Sequence, residues 1–194
     1  FYTFRKDYKE GKIILDQMYT NPLYKSIRIS ENTDINSFHQ KAIISHIKKV
    51  NPKSILDLGC GTGFLLRKIN KIYPHIELTG VDLLNNKSDK YIKYIKTSIK
   101  NFFKFNKSLN YDLIICCHTL EHCENPSNLV GYIKENANKS FIIICPMEKE
   151  FKWGLNYHIN FFENKKSFLS RLNLEKERAK IIVSLGDIFY AKVN

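Results

Sequence analysis

The stretch ILDLGCGTGF, at residues 55–64, joins an apolar run to a helical pattern through a loop with three glycines at alternate positions. These are Gly59, Gly61 and Gly63. Glycine adopts backbone conformations that other residues avoid, and it lets another group approach the main chain closely. In an open α/β sheet the first strand-to-helix turn is the usual ligand cradle. The stretch therefore predicts a strand, a tight turn and a helix, with a ligand bound at the turn.

Strand-like and helix-like patterns alternate along the chain, which favours βαβ units and a parallel sheet. The predicted helices cover residues 36–49, 63–73, 86–94, 126–137 and 164–172. The predicted strands are, in chain order, SILDL, IELTGVDL, YIKTSI, YDLIICC, SFIIICP, AKIIVSL and DIFYAKV. The last two meet at the turn-prone pair Gly186-Asp187, so we expect an antiparallel hairpin at the edge. The predicted fold is α/β, with a seven-stranded, mostly parallel sheet and helices on both faces.

The length of 194 residues suits one domain, and the hydrophobic fraction of 43% is that of a globular protein. We predict that residues 1–194 form a single domain, with residues 1–35 as a lid or cap and residues 36–194 as the core. No apolar stretch reaches the roughly 20 residues of a membrane helix. The five cysteines lack metal-site and disulfide spacing, and the charged N-terminus lacks the apolar centre of a secretory signal. These features predict a cytoplasmic protein without membrane insertion.

The formal net charge of +12 would favour phosphates or other anionic partners. Lysine, asparagine and isoleucine are abundant together along the whole chain, however, so the charge fits a general compositional bias rather than a localised patch. A small-molecule substrate is therefore expected, with a nucleic acid as the alternative partner.

The glycine spacing argues against a dinucleotide site. A dinucleotide fingerprint would need its third glycine at position 64, where the chain has Phe64. Asp82 ends the second predicted strand about 20 residues after the loop, where an acidic side chain accepts hydrogen bonds from ribose hydroxyls. The ligand is therefore expected to contain a ribose.

The combination of LDLGCGTG with an acidic residue at the end of the second strand resembles the class I S-adenosylmethionine-dependent methyltransferases. The resemblance covers residues 38–194 and implies a Rossmann-like fold. It also implies that Asp57 and the glycine loop hold the methionine end of the cofactor, that Asp82 binds the ribose and that Leu83 packs on the adenine.

The chain departs from this family after the third strand. Family members often place an aspartate there to bind the adenine amino group, whereas this chain has Thr97, Ser98 and Ile99. The side chain of Ser98 and the main chain of Ile99 are the replacement candidates. The full set of cofactor-binding candidates is Asp57, Gly59, Cys60, Gly61, Gly63, Asp82, Leu83, Ser98, Ile99 and His118.

The fourth strand runs into HTLEHCENP, which gathers His118, Glu121 and His122 at the carboxyl edge of the sheet. A histidine with a pKa near 6.5 suits a general base at neutral pH. Two histidines and a carboxylate suit instead a divalent metal, which would lower the pKa of a bound hydroxyl. A third alternative is structural, because these side chains can cap the next helix or bind loop amides. The loop after the fifth strand adds Glu148 and His158 at the same edge.

The segments LEHCENP and HINFF resemble the branch with quinone-biosynthesis and small-molecule O-methyltransferases. They are also similar to small-RNA terminal 2'-O-methyltransferases, whose Glu-x-x-Glu-His motif and later histidine bind metal. That resemblance implies Glu121, His122 and His158 as metal ligands. His118 stands where the first glutamate is expected, so manganese, iron or zinc would suit the site better than magnesium.

The predicted function is methyl transfer from S-adenosylmethionine to an oxygen of a small polar or aromatic metabolite, with His118, Glu121 and His122 as catalytic residues. An RNA 2'-O-methyltransferase and an inactive cofactor-binding partner subunit are the alternatives. The aromatic and basic candidates for closing the pocket are Tyr19, Tyr24, Arg28, Trp153, Tyr157, Phe161 and Phe162.

Overall fold

The computed structural model describes residues 37–84, 89–106, 109–150 and 158–194. Helices and strands alternate along these ranges. In chain order they are α1 (Ser37–Val50), β1 (Ser54–Leu58), α2 (Phe64–Ile72), β2 (Glu77–Asp82), β3 (Ile92–Lys96), α3 (Ile99–Phe105), β4 (Tyr111–Cys117), a 3₁₀ turn (Leu120–His122), α4 (Pro126–Asn136), β5 (Ala137–Pro146), α5 (Lys165–Arg171), β6 (Lys180–Ser184) and β7 (Asp187–Val193). The predicted lid, residues 1–35, and the candidates Trp153 and Tyr157 lie outside the described residues.

The strands form one seven-stranded sheet in the order β3-β2-β1-β4-β5-β7-β6. Strands β1 to β5 run parallel to one another, whereas β7 runs antiparallel to both β5 and β6. The predicted fold class and the edge hairpin are confirmed. The strand order reverses between β1 and β4, and ligands of such sheets bind outside the carboxyl ends of the strands at this switch point.

Helices cover both faces of the sheet, because successive side chains of a strand point to opposite faces. Leu56 faces the layer formed by α3, α4 and α5, which contributes Phe102, Val130 and Phe168 among others. Ile55 faces the layer of α1 and α2. The apolar runs in β4 and β5 are buried on both sides, as expected for central parallel strands. No helix in the described ranges has the length and apolar character to span a bilayer.

The predicted helix at 86–94 is wrong for the residues that the structure describes. Asp89 forms a β-bridge with Ile92, and β3 begins at Ile92. This strand lies at the edge of the sheet, where its polar residues face solvent and imitate the pattern of a surface helix. The helix instead follows the strand, as α3, and ends at Phe105.

The β6–β7 hairpin turns at Leu185 and Gly186, which both have positive φ angles, 53° and 83°. Residue pairing places Asp187, the first residue of β7, opposite Pro146 at the carboxyl end of β5. The main-chain N–H of Met147 also donates to the carbonyl of Gly186 at 2.6 Å. The hairpin therefore brings Asp187 to the edge of the sheet at which β1, β2, β4 and β5 end.

Candidate functional site

The glycine loop between β1 and α2 makes a tight turn. Gly59, Gly61 and Gly63 have φ angles of 77°, 54° and 79°, a region that strains other residues. A Cβ atom at Gly59 would overlap the hydroxyl of Thr119, and one at Gly63 would overlap the ring of Tyr94. The chain's own side chains thus come close to this backbone at two of the three glycines.

Asp82, at the end of β2, is hydrogen-bonded to the glycine loop. Its carboxylate accepts hydrogen bonds from the main-chain N–H of Gly61 at 2.8 Å and of Leu84 at 2.9 Å. A carboxylate offers about four lone-pair sites, so it can accept ribose hydroxyls in addition. Leu83 follows directly and is half-buried. The structure therefore brings the predicted ribose and adenine contacts beside the glycine loop.

Asp57 lies beneath the same loop and is 3% exposed. Burial first, and the nearby charge of Asp82 second, raise the pKa of Asp57 to about 7. A cation placed beside this carboxyl would favour its ionised form. The position therefore suits an amino group such as that of the methionine part of S-adenosylmethionine.

The remaining cofactor candidates pack around this centre. Cys60 is buried, and its thiol occupies the space left by the missing side chain of Gly80. Ser98 is buried after β3, where its hydroxyl caps α3 by accepting the N–H of Asn101 at 3.2 Å. Ile99 is half-buried beside it. Ser98 thus has a helix-capping role in the structure, and its contact with adenine stays a prediction.

Thr119 links the glycine loop to the histidine segment. Its hydroxyl lies 3.1 Å from the carbonyl oxygen of Leu58 and 3.0 Å from that of Cys117, and it shares one hydrogen between them. Leu58 immediately precedes Gly59, and Thr119 immediately follows His118. The carboxyl ends of β1 and β4 are therefore tied together at the point where the two candidate sites meet.

Glu121 is the centre of the second site. It is fully buried in the 3₁₀ turn, and neither of its carboxylate oxygens accepts a hydrogen bond within the described part of the chain. His118 Nδ1 lies 3.6 Å and His122 Nε2 lies 3.9 Å from its Oε1. Burial acts to raise the pKa of Glu121, but the His118, His122 and His158 rings outweigh it and hold that pKa below its ordinary value. A buried carboxylate is stable when a positive charge lies beside it, such as an imidazolium group or a metal ion.

The segment from His118 to His122 does not cap the helix that follows it. Asn125 caps that helix, α4, by accepting the N–H of Asn128 at 3.1 Å. The thiols of Cys116 and Cys117, which precede the segment, are buried and have raised pKa values, chiefly because of that burial. They are therefore poor nucleophiles.

The segment that begins at His158 is attached to the 3₁₀ turn. The N–H groups of Ile159 and Asn160 both donate to the main-chain oxygen of Glu121, at 2.8 and 3.0 Å. The rings of His122 and His158 meet edge to face, with centroids 4.8 Å apart. His158 Nδ1 is hydrogen-bonded to Glu148, the second glutamate of this edge. The two loops that the sequence placed at one edge are thus in direct contact.

Glu121, His122 and His158 each offer one ligand atom, and these atoms all lie within 4.8 Å of one another. Atoms at such separations can surround one divalent cation, and the cation would satisfy the buried carboxylate of Glu121. His118 does not belong to this group. The residues present therefore fit a metal with two imidazole ligands and one carboxylate.

The structure also shows two polar residues at this edge that sequence reasoning missed. The carboxylate of Asp187 lies 3.6 Å from His118 Nε2 and 3.2 Å from His39 Nδ1, and His39 is fully buried in α1. The sequence signal that could have placed Asp187 is its position at the start of the last predicted strand, and the structure pairs it there with Pro146. Of the predicted pocket aromatics, Phe161 and Phe162 are both buried, and Phe162 packs on Phe168 in the core.

A protein-family model described as a methyltransferase domain matches residues 36–177. Among curated proteins, the chain is 27% identical over 124 residues to a ubiquinone biosynthesis O-methyltransferase of Rickettsia typhi, covering 57% of this chain and 48% of that protein. It is 28% identical over 96 residues to a malonyl-[acyl-carrier protein] O-methyltransferase of Halalkalibacterium halodurans, covering 44% and 35%. The chain thus spans about half the length, or less, of these relatives.

Two solved structures show the same fold. The plantazolicin methyltransferase BpumL, in complex with a pentazolic desmethylPZN analog and SAH, is 18% identical and aligns over 98% of both chains with a TM-score of 0.71. The methyltransferase domain of bacterial CtHen1 is 17% identical and aligns over 80% of this chain and 97% of that one with a TM-score of 0.60.

Proposed function

Because this chain belongs to the class I S-adenosylmethionine-dependent methyltransferases, we propose that it transfers a methyl group from S-adenosylmethionine to an oxygen atom of a small polar or aromatic metabolite. The curated relatives that support oxygen as the acceptor atom are O-methyltransferases by name. In this proposal residues 36–194 form the catalytic core, and residues 1–35 close the pocket.

The cofactor would be held by the first site. Asp57 and the glycine loop would hold the methionine end, Asp82 the ribose hydroxyls, and Leu83, Ser98 and Ile99 the adenine. Bound there, the cofactor supplies an electrophilic methyl group on its sulfonium. The protein then has to align an acceptor oxygen with that methyl group and take up the proton of the acceptor.

One observation carries the proposal: the buried, charge-bearing cluster around Glu121 adjoins the glycine loop at the same edge of the sheet. Thr119 contacts Leu58 next to the loop, and it lies between His118 and Glu121 in the chain. An acceptor held at Glu121 would therefore lie beside a methyl donor held by the loop. His118, Glu121 and His122 are our candidates for orienting and deprotonating that acceptor.

A divalent metal at Glu121, His122 and His158 would assist this reaction by lowering the pKa of an acceptor hydroxyl. The two imidazoles and one carboxylate favour manganese, iron or zinc over magnesium, which prefers oxygen ligands. Metal use is the finer part of the proposal. If no metal binds, His118 or His122 would take the proton directly.

The first test is calorimetric titration of S-adenosylhomocysteine, and then of Mn²⁺, into chelator-treated protein. We expect both to bind wild type, and Mn²⁺ binding to be lost in His122→Ala but kept in His75→Ala, which removes an exposed histidine remote from the cluster. Failure of S-adenosylhomocysteine to bind would contradict the methyltransferase proposal.

The second test identifies the acceptor class. Methyl transfer from labelled S-adenosylmethionine is measured on catechols, on simple phenols and on short RNAs with a free 3'-terminal diol. We expect transfer to the small phenolic or catecholic acceptors. Transfer to RNA alone would favour the RNA 2'-O-methyltransferase, for which the net charge of +12 is the supporting observation. Cofactor binding without transfer to any acceptor would favour an inactive partner subunit.

A further inference from the structure

Each of two histidines at Glu121 has a ring nitrogen beside a second carboxylate outside the candidate metal ligands. For His158 that carboxylate belongs to Glu148, and for His118 it belongs to Asp187. Both carboxylates come from parts of the chain other than the 3₁₀ turn. The two histidines nevertheless differ, because His158 belongs to the group of converging ligand atoms and His118 does not.

Glu148 is fixed beside His158 by the main chain. The N–H of Glu148 donates to the carbonyl of Phe162 at 3.0 Å, and Met147 forms a parallel β-bridge with Phe162. The side chain of Glu148 then accepts the Nδ1–H of His158. This bond sets the tautomer and the direction of the ring, and it leaves Nε2 as the nitrogen that could bind a metal. Histidines that bind metals commonly donate their other N–H to a carboxylate in this way.

Asp187 is fixed on the opposite side of the cluster. Its backbone is held by the pairing of β7 with β5, and its carboxylate is held by His39, which is stacked on Phe189 with ring centroids 6.3 Å apart. The same carboxylate oxygen lies 3.6 Å from His118 Nε2. His118 Nδ1 lies 3.6 Å from Glu121. Each ring nitrogen of His118 thus faces a carboxylate.

We propose that Glu148 and Asp187 are positioning residues that divide the histidines between two roles. Glu148 turns His158 toward a metal held with Glu121 and His122, whereas Asp187 holds His118 outside the metal's ligands. The inference rests on the metal-assisted form of the proposed function. His118 stands at the position of the first glutamate in the Glu-x-x-Glu-His motif. The proposal accounts for this difference, because the ring of His118 lies between two carboxylates instead of binding the ion.

The test is metal affinity, measured by titrating Mn²⁺ into chelator-treated variants of the 194-residue chain. Glu148→Ala should weaken Mn²⁺ binding about 10- to 100-fold, the usual effect of losing such a partner. Glu148→Gln should recover most of it, because an amide oxygen also accepts the Nδ1–H. Substitution of the exposed Glu163 by alanine is the matched control and should change nothing. His118→Ala should reduce the affinity less than His122→Ala and His158→Ala do, because it removes no ligand of the ion.

The visible absorption spectrum of Co²⁺ reports how many ligands surround the ion and in what geometry. Asp187→Ala should release His118 toward the ion and change this spectrum, and the double variant with His118→Ala should restore it. Binding of S-adenosylhomocysteine shows whether the Asp187→Ala variant is folded. If it is not, Asp187→Asn takes its place.

Three outcomes distinguish a failure of this inference from a failure of the proposed methyltransferase function. Loss of Mn²⁺ binding in His118→Ala as large as in His122→Ala would overturn the division of roles while leaving the metal site intact. Wild type that binds S-adenosylhomocysteine but neither Mn²⁺ nor Co²⁺ would overturn the inference and the metal, but not methyl transfer. Metal binding with the expected pattern but without cofactor binding would support the inference and contradict the proposed methyltransferase.

Discussion

At the scale of single residues, Asp57 lowers the stability of the fold when it ionises. Burial, and then Asp82, raise its pKa to about 7, so the folded chain binds this proton more tightly than the unfolded chain. The free energy of unfolding should therefore fall as pH rises from the ordinary aspartate pKa of about 4 to about 7, and then level off. For a chain of this size, each kcal/mol of stability raises the melting temperature by roughly 2–4 °C. We therefore expect Asp57→Asn to melt a few degrees above wild type at pH 8, and we expect this difference to shrink at pH 5.

Thermal melts followed by circular dichroism at the two pH values would check this. Asp89→Asn is the matched control, because its side-chain oxygen can still accept the N–H of Tyr91 at the surface. If the difference in melting temperature between Asp57→Asn and wild type does not change with pH, then ionisation of Asp57 is not its cause.

Asp82 is the residue on which cofactor affinity should depend most directly. Asp82→Ala removes the proposed acceptor of the ribose hydroxyls and releases the N–H of Gly61. Hydrogen bonds to a charged group contribute about 1.5–3 kcal/mol, so S-adenosylhomocysteine should bind at least tenfold more weakly in calorimetric titrations. Asp112→Ala, which removes an aspartate paired with Lys139 at the start of β4, should not affect binding. Equal affinities of the two variants would argue against a ribose at Asp82.

At the scale of elements, the glycine loop offers a comparison within one chain. Gly59 and Gly186 both have positive φ, but a Cβ atom would strike Thr119 at the first position and meet nothing within 4 Å at the second. Gly186→Ala should therefore lose about 1–2 kcal/mol for the backbone alone. Gly59→Ala should lose about 1–3 kcal/mol more, because of overpacking. Urea unfolding measures both, and equal losses would mean that Thr119 moves aside without penalty.

The helices and strands also show which parts of the fold can be predicted from the local sequence pattern. The buried runs of β4 and β5, the hairpin and the glycine turn were predictable, because burial on both faces or a required turn leaves a local signature. The edge strand β3 was predicted at YIKTSI, residues 94–99, instead of at Ile92–Lys96, since alternating lysine and apolar residues at its start fit a surface helix as well. Asp187 was missed because its contact with His118 joins residues distant in sequence, which the register of β5 with β7 brings near. His39 was missed because its partner is Asp187, which is equally distant in sequence.

At the scale of the whole molecule, the formal net charge of +12 acts against compactness through self-repulsion. Salt shortens the range of that repulsion, from about 10 Å at 0.1 M to about 3 Å at 1 M. We expect the melting temperature to rise by a few degrees between 0.05 and 0.5 M NaCl. An uncharged osmolyte at equal osmolality serves as the control. A fall with salt would mean that ion pairs such as those of Glu177 with Lys134 and Lys192 outweigh the repulsion.

The contact between Thr119 and Gly59 also constrains how this chain can evolve. A side chain fits at position 59 only if position 119 first loses its own, and the loss at 119 alone leaves two carbonyl groups, those of Leu58 and Cys117, without their shared donor. Neither single step is neutral, because the first creates an overlap and the second removes a hydrogen-bond donor. Drift at either position must therefore cross a less stable intermediate. An ancestor and a descendant that differ at one of these positions should differ at both.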